Sequence, residues 1–441
     1  MPHKLKKLAL YFGDILVFYL TLYLTLLLRY QHIPSTELWQ KHLPIFTLAF
    51  VFWLPLFYIT NLYDLYLAVN NSNFWKRATT AIFGAALIAT SLFYVTASDV
   101  APKTNLAIYF VIFSGLFPLW RQVYNSALAS YLPKLNIGFI GLNAEAKEII
   151  DFLKSHSHIG YSVAATYEAE DVKLNNLKEE ISLHNIALLV VATNLHESSS
   201  LRDQLFACLP LKVNFINLPL FYEQVTGKIP TNVINQMWFL ENLTEGGRGN
   251  FNLIKRVCDI FGATALLIIT MPFWPLIAIL IKASSTGPVF FSQTRGGKNA
   301  APFKMLKFRS MRVENNDASL TVEGDKRITK FGNFLRKSRI DELPQLINIL
   351  KGEMSFIGPR PERPEFITDL EKAIPFYRER MLVKPGVTGW DQVSGEYHSA
   401  STEDTIKKLQ YDLFYIKNRS IYLDISIMLK TVYTILNRSG R

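Results

Sequence analysis

The sequence predicts a membrane protein in three parts: an N-terminal four-helix transmembrane bundle, a central parallel α/β module, and a C-terminal, mostly α domain. Three observations carry this expectation. Four apolar runs within residues 1–130 are long enough to span a bilayer. Short apolar runs then alternate with helical patterns between 134 and 240. A further apolar run, about 253–281, is broken by prolines.

The four spans are expected at about 8–28, 43–60, 78–97 and 105–120. No small-residue cleavage site follows the first run, so it reads as a span rather than a signal peptide. Asp14, Pro44, Pro55 and Pro118 interrupt the runs and soften their ends. Lys4, Lys6 and Lys7 precede the first span, Lys76 and Arg77 the third, and Arg121 and Lys134 follow the fourth. The two other connections hold Arg29, Lys41 and Lys103, offset by Glu37 and Asp99. The positive-inside rule then places the N-terminus and the chain after the fourth span in the cytoplasm.

From Lys134 the pattern changes. Asn136–Gly141, Ala187–Ala192 and Lys212–Ile216 read as strands, and Ala144–Lys154 as a helix. The turn Gly141-Leu142-Asn143-Ala144-Glu145-Ala146 resembles a dinucleotide fingerprint whose second glycine is asparagine. That describes a Rossmann-like module, either with a nucleotide site or, as the degenerate fingerprint favours, without one. Glu245–Asn250 is a glycine-rich hinge by composition.

The run 253–281 opens with Lys255, Arg256 and Asp259 and carries Pro272 and Pro275 in its middle. Proline removes a backbone hydrogen bond and kinks a helix, so the segment can enter the bilayer and leave on the same side. A fifth true span is the other reading, and the run by itself leaves the two equal. Beyond it, Phe303–Arg312 interleaves Lys304, Lys307 and Arg309 with apolar residues, which by itself reads first as an amphipathic surface with solvated charges and otherwise as a surface facing headgroups or phosphates.

The adjacent carboxylates Asp341-Glu342 then precede a short helix over Pro344–Leu350, with Gly352 as its terminator. Neighbouring acids repel unless cations or donors hold them. Neighbouring helical side chains diverge by about 100°, so the two can serve different partners. A helix start also offers N–H groups to a phosphate, and Mg²⁺ is the ion that takes few carboxylates plus substrate phosphate. Arg360 between Pro359 and Pro361 is a guanidinium on a stiff backbone, suited to fork onto phosphate. Such a site needs cytoplasmic nucleotides, which favours the re-entrant reading of 253–281. Toward the C-terminus, Ser401–Asp404 reads as a helix start, and 420–437 as an amphipathic core or interfacial helix.

Several stretches resemble one family, in order: Lys255–Asp259, Gly287–Phe291, Phe303–Met311, Asp341–Gln345, Gly358–Glu362, Pro385–Trp390 and Tyr411–Lys417. From about residue 250 to 441 the chain resembles the bacterial sugar transferases, the monotopic phosphoglycosyl transferases. Four spans, a Rossmann-like (CoA-binding-like) module and a catalytic domain with a re-entrant helix resemble the large form that initiates exopolysaccharide, O-antigen or capsule synthesis. The resemblance implies transfer of a sugar-1-phosphate from a UDP-sugar to polyprenyl (undecaprenyl) phosphate, with release of UMP and a covalent aspartyl intermediate. It implies Asp341 as nucleophile, Glu342 as Mg²⁺ ligand, and Arg360 as a partner of nucleotide or phosphate. Pro361, Arg339, Lys304, Lys307, Arg309, Arg295 and Trp390 are the further expected substrate-binding residues. Lys255, Arg256, Asp259 and Pro272 are expected to shape the re-entrant segment. The chain departs from the family where Met271 precedes Pro272 in place of serine, and where Asp391-Gln392-Val393-Ser394 follows Trp390. The expected setting is the bacterial inner membrane, with the catalytic domain on its cytoplasmic face.

The formal net charge of +11 fits lipid headgroups and nucleotide phosphates; no nucleic-acid partner is expected, and a homodimer through the membrane and Rossmann-like parts is the expected assembly. Two other classes stay open: a metal-dependent glycosyltransferase, for which the chain lacks a strict Asp-x-Asp, and a non-catalytic nucleotide-sensing scaffold. Walker A and HExxH motifs are absent. Cys208 and Cys258 belong to no metal spacing or disulfide framework, and His156 and His158 lack a third ligand nearby.

Overall fold

A computed structural model describes all residues except 1–2, 97–101, 131–133, 157–158, 169–176, 193–198, 244–248, 313–324, 326, 395–400 and 437–441. Most of the glycine-rich hinge, Ser157, His158 and Asn437 therefore lie outside the described residues. The chain divides into two compact units, 1–221 and 222–441.

The first unit opens with four long helices: α1 (His3–Tyr30), α2 (Thr36–Ile59), α3 (Ser72–Val95) and α4 (Pro102–Ser130). All four are long and apolar enough to cross a membrane. Ser35 and Asn71 cap α2 and α3 by accepting from the amides of Leu38 and Phe74. Phe18, Phe46, Trp53, Tyr109 and Phe113 are buried between the helices as an aromatic core. The spacing Ala78, Ala81, Ala85, Ala89 puts small buried residues on one face of α3, which lets a neighbour approach closely. Asp14 and Arg121 meet inside the bundle with no exposed side-chain surface.

The α/β region follows: β1 (Leu135–Ile140), α5 (Ala144–Ser155), β2 (Tyr161–Tyr167), α6 (Leu177–Leu183), β3 (Leu188–Val191), α7 (Ser199–Ala207) and β4 (Asn214–Asn217). The strands form one parallel sheet in the order β2-β1-β3-β4. Ile137, Phe139, Leu189 and Val190 are buried, as the central strands of a sheet covered on both faces require. Gly141 has φ 86°, a left-handed value that suits glycine at the turn into α5. Asn143 Oδ1 accepts from the Ala146 amide at 2.8 Å. The residue that replaces the fingerprint's second glycine thus satisfies an amide at the start of α5. Lys6 of α1 donates to the carbonyl of Ile159 at 3.3 Å, and Tyr124 of α4 donates to the Lys6 carbonyl at 2.7 Å, which ties this region to the bundle.

Helix α8 (Leu218–Thr226) leads into the second unit, followed by α9 (Gln236–Asn242). The stretch 222–240, read from sequence as the end of the α/β module, falls in this second unit. Ile229 and Ile234 are buried with Ile367, Tyr377 and Leu409, and Glu223 accepts from Lys417 at 2.6 Å. Then come α10 (Gly249–Thr270), a 3-10 turn over Met271–Phe273 that contains Pro272, and α11 (Trp274–Ser284). Together they form a fifth segment long and apolar enough to cross a membrane. Both arms pack on the same body. Ala263 and Leu267 of α10 lie with Phe303 and Met305, while Trp274, Ile277 and Ile281 of α11 lie with Phe308 and Leu335; Leu343 touches both groups. Ile268, Ile269, Met271, Phe273, Leu276 and Ile279, around the break, are exposed.

The rest of the unit holds β5 (Phe290–Gly296), β6 (Pro302–Phe308), α12 (Lys330–Lys337), α13 (Gln345–Lys351), β7 (Ser355–Ile357), α14 (Pro364–Ala373), β8 (Gly386–Thr388), α15 (Thr402–Asn418) and α16 (Ile421–Leu436). β5 and β6 pair antiparallel, and β7 and β8 pair parallel. The unit is mostly α with two short ribbons. Ile421, Tyr422, Ile425, Met428 and Val432 give α16 an exposed apolar side.

Candidate active site

Asp341 and Glu342 end a 3-10 turn over Ile340–Glu342, just before α13. The short helix expected from Pro344 begins at Gln345, so the pair precedes it. Three residues per turn set neighbouring side chains about 120° apart, which widens their divergence. Arg339, at φ 57°, makes the sharp connection from α12 into this turn. Gly352, at φ 84°, closes α13.

Packing fixes this turn. Leu346 and Ile349 of α13 are buried against Phe303 and Met305 of β6. Asn348, fully buried, accepts from the Leu306 amide at 3.0 Å and donates to the Lys304 carbonyl at 2.8 Å. It joins helix and strand like an extra rung. Arg256 of α10 donates to the carbonyls of Ile349 and Leu350 at 2.6 and 2.7 Å, which satisfies the end of α13.

The two carboxylates are nearly buried, at 7% and 8% exposure. Three cations converge on one atom, Glu342 Oε1: Lys307 at 2.8 Å, Arg360 at 3.2 Å and Arg339 at 3.8 Å. Burial alone would raise the Glu342 carboxyl. The charges of Lys307, Arg360 and Arg339 outweigh it and hold the group well below the usual carboxylate range. Asp341 differs. Burial pushes it up to about 6, against the pull of Lys307. Its Oδ1 is buried without a hydrogen-bond partner. Three cations hold one acid, while the other keeps an oxygen without a hydrogen-bond partner.

The remaining expected residues divide into those beside this pair and those elsewhere in the unit. Arg295 donates to the Pro361 carbonyl at 3.1 Å and to Gln293 at 2.7 Å, and lies 3.6 Å from Glu362. Arg295 therefore steadies the loop that carries Arg360, and Pro361 and Arg360 line a small cleft there with Gly296 and Gly297. Lys304 is exposed, on the strand face opposite Lys307. Arg309 donates to the Ser285 carbonyl at 2.7 Å and caps α11. Trp390 donates to the Gly227 carbonyl at 2.9 Å, stacks on Phe414 and lies under Lys430. Lys255 pairs with Asp424 at 2.6 Å, and Asp259 accepts from Ser355 and from the Phe356 amide, both at 3.1 Å. These two, with Arg256, bind the base of α10 to the domain.

Sequence reasoning missed Asn348, Tyr377 and Arg380. Asn348 could have been found as the polar residue inside the apolar run Leu346–Leu350. Arg380 had no local signal, since its partner Asp412 lies 32 residues on.

The family described as Bacterial sugar transferase matches residues 250–438, the stretch that builds this site. A UDP-glucose:undecaprenyl-phosphate glucose-1-phosphate transferase of Caulobacter vibrioides is 40% identical over 188 residues, 42% of this chain and 70% of that relative. The chain belongs to the bacterial sugar transferase family. A transferase of the same name from Klebsiella pneumoniae is similar to this sugar transferase over both units, at 29% identity across 361 residues, 78% of this chain and 77% of the relative. A UDP-N-acetylgalactosamine-undecaprenyl-phosphate N-acetylgalactosaminephosphotransferase of Aeromonas hydrophila is 45% identical over 192 residues, 43% of this chain. That match spans 45% of the relative's own length, so under half of it is covered.

Proposed function

We propose that this sugar transferase moves a sugar-1-phosphate from a UDP-sugar to undecaprenyl phosphate and releases UMP, a first membrane step in glycan assembly. The observation that carries the proposal is the unpartnered Asp341 Oδ1 beside a Glu342 gripped by three cations. The names of the relatives support the donor and acceptor classes.

In this reading an Asp341 carboxylate oxygen attacks the sugar-linked phosphorus. The bond from that phosphorus to the bridging oxygen breaks, and UMP leaves. An oxygen of undecaprenyl phosphate then attacks the same phosphorus, the acyl-phosphate bond breaks, and Asp341 is restored. Splitting one displacement into two is the usual gain from a covalent nucleophile. Lys307, Arg339 and Arg360 offset charge on the phosphate oxygens.

Mg²⁺ would be held by Glu342 with Asp341 beside it. The donor set fits. All three cations approach Glu342 through Oε1, Asp341 Oδ1 is unpartnered, and Mg²⁺ completes its shell with water and phosphate. Among the described residues no group of three or more His, Cys, Asp or Glu forms an all-protein metal cage. When bound, the ion would neutralise phosphate charge.

The same reading makes α10 and α11 a re-entrant hairpin on the cytoplasmic face of the inner membrane. Its support is that both arms reach Leu343, while the proline-containing turn between them is exposed. The sheet order and the turn at Gly141 support a Rossmann-like module, and the Asn143 cap favours one without a dinucleotide. The test is a panel of nucleotide sugars given to purified membranes with undecaprenyl phosphate. UMP release from at least one UDP-sugar is expected. No nucleotide monophosphate from any donor, or UDP in its place, overturns the assignment.

A further inference from the structure

We propose that Arg380, held by Asp412 and Tyr377, is a positioning residue that sets Arg360 on Glu342. This rests on the functional reading of Arg360 above. Arg380 is 6% exposed and Asp412 is 2% exposed. Arg380 uses every arm of its guanidinium. Nε donates to Asp412 Oδ2 at 2.9 Å, Nη1 donates to the Tyr377 hydroxyl at 2.6 Å, and Nη2 donates to the backbone carbonyl of Arg360 at 3.0 Å. Nη2 also lies 2.7 Å from Asp412 Oδ2.

The last of these contacts matters for the site. Arg360 sits on a short loop with proline on either side, and the Gly386 amide donates to the Pro359 carbonyl at 3.0 Å. The Arg360 carbonyl is taken by Arg380, while its side chain, 42% exposed, reaches Glu342 through the guanidinium. A long side chain at that exposure loses rotamer freedom when it is held in one pose. Fixing its backbone from below removes part of that cost, as preorganised sites require. The chain of contacts runs from α15 through Asp412, Arg380 and the Arg360 carbonyl to the carboxylate pair. Arg380 and Tyr377 line the cleft beside Arg360, but the three arms of Arg380 are spent on Asp412, Tyr377 and the Arg360 carbonyl. The Tyr411-Asp412 stretch thereby gains a role that its distance in sequence from Asp341 conceals.

The test uses the full chain in detergent or native membranes, with Tyr377→Phe and Asp412→Asn as separate variants. Tyr377→Phe removes one hydroxyl and keeps the ring, so it serves if Asp412→Asn does not fold. KM for the UDP-sugar is expected to rise about tenfold in Asp412→Asn, the scale of one charge-assisted hydrogen bond, and less in Tyr377→Phe. KM for undecaprenyl phosphate is expected to stay unchanged. Adding either substitution to Arg360→Gln is expected to cost nothing more, because the group being positioned is already gone. A merely structural role lowers the active fraction and leaves both KM values where they were, and that result overturns the proposal, as does an additive double variant. A second readout is independent of turnover: phenylglyoxal modification of Arg360, followed by mass spectrometry. Its rate is expected to rise severalfold in Tyr377→Phe, and an unchanged rate overturns the proposal even if no donor is turned over. Wild-type chain that releases no UMP, with Arg360 reactivity still responding to Tyr377, sinks the functional reading alone.

Discussion

Two of the places where the molecule buries a carboxylate against arginine are built to opposite ends. In the bundle, each oxygen of Asp14 has a donor. Arg121 Nη2 donates to its Oδ2 at 2.5 Å, and the Trp120 indole donates to its Oδ1 at 2.9 Å. Arg121 also donates to the Leu62 carbonyl at 2.7 Å, so the pair ties α1, α4 and the chain after α2 together. In the candidate site, three cations share one oxygen of Glu342 and leave Asp341 Oδ1 with none. A buried acid with a donor on each oxygen holds structure. A buried acid with one left open keeps its capacity to react, at a cost in desolvation that the rest of the fold must offset.

The sharpest way to break this contrast is Asp341→Asn. UMP release should fall by at least about 10³-fold, as loss of a covalent nucleophile does. Thermal unfolding in detergent should hold steady or improve, because an unpaired buried acid has been removed. A variant that keeps its rate would make Asp341 as structural as Asp14. Asp14→Ala should do the reverse. It strands Arg121 and should cost about 3–5 kcal/mol of stability, with turnover per folded molecule unchanged.

A smaller effect sharpens the electrostatic half of the comparison. The Asp341 carboxyl, raised by burial to about 6, is ionised above that pH and protonated below it. The rate of UMP release should therefore drop as pH falls through about 6, rather than near 4. Lys307→Gln removes a charge that lowers this group, so the acid limb should move to higher pH by about one unit. A limb that stays put would show that another group sets it. The smallest effect is expected at Trp390. Trp390→Phe loses the bond to the Gly227 carbonyl but keeps the stack on Phe414, and should cost about 1 kcal/mol of stability. A clear rise in donor KM would instead put Trp390 in the substrate set.

The contrast also marks what sequence could show. The spans were legible because a bilayer forces long apolar runs. The central strands were legible because both of their faces are buried. Asp341-Glu342 was visible as an adjacent pair, and Arg360 was visible between prolines. Which lysine of Phe303–Arg312 meets Glu342 depends on strand parity. Lys307 shares a face with Phe303 and Met305, and Lys304 does not. Arg309 looks like its neighbours in sequence but spends its charge on the carbonyls that end α11. The contacts of Arg380 with Arg360 and Asp412, and those of Arg256, bridge 20 to 94 residues, a range at which no local pattern survives.

The base of α10 has a consequence for biogenesis. Arg256, Asp259 and Lys255 are secured by partners that leave the ribosome 93, 96 and 169 residues later. When this apolar segment reaches the insertion machinery, none of those partners has been synthesised. The contacts that secure its base can therefore form only after the C-terminal helices have been translated.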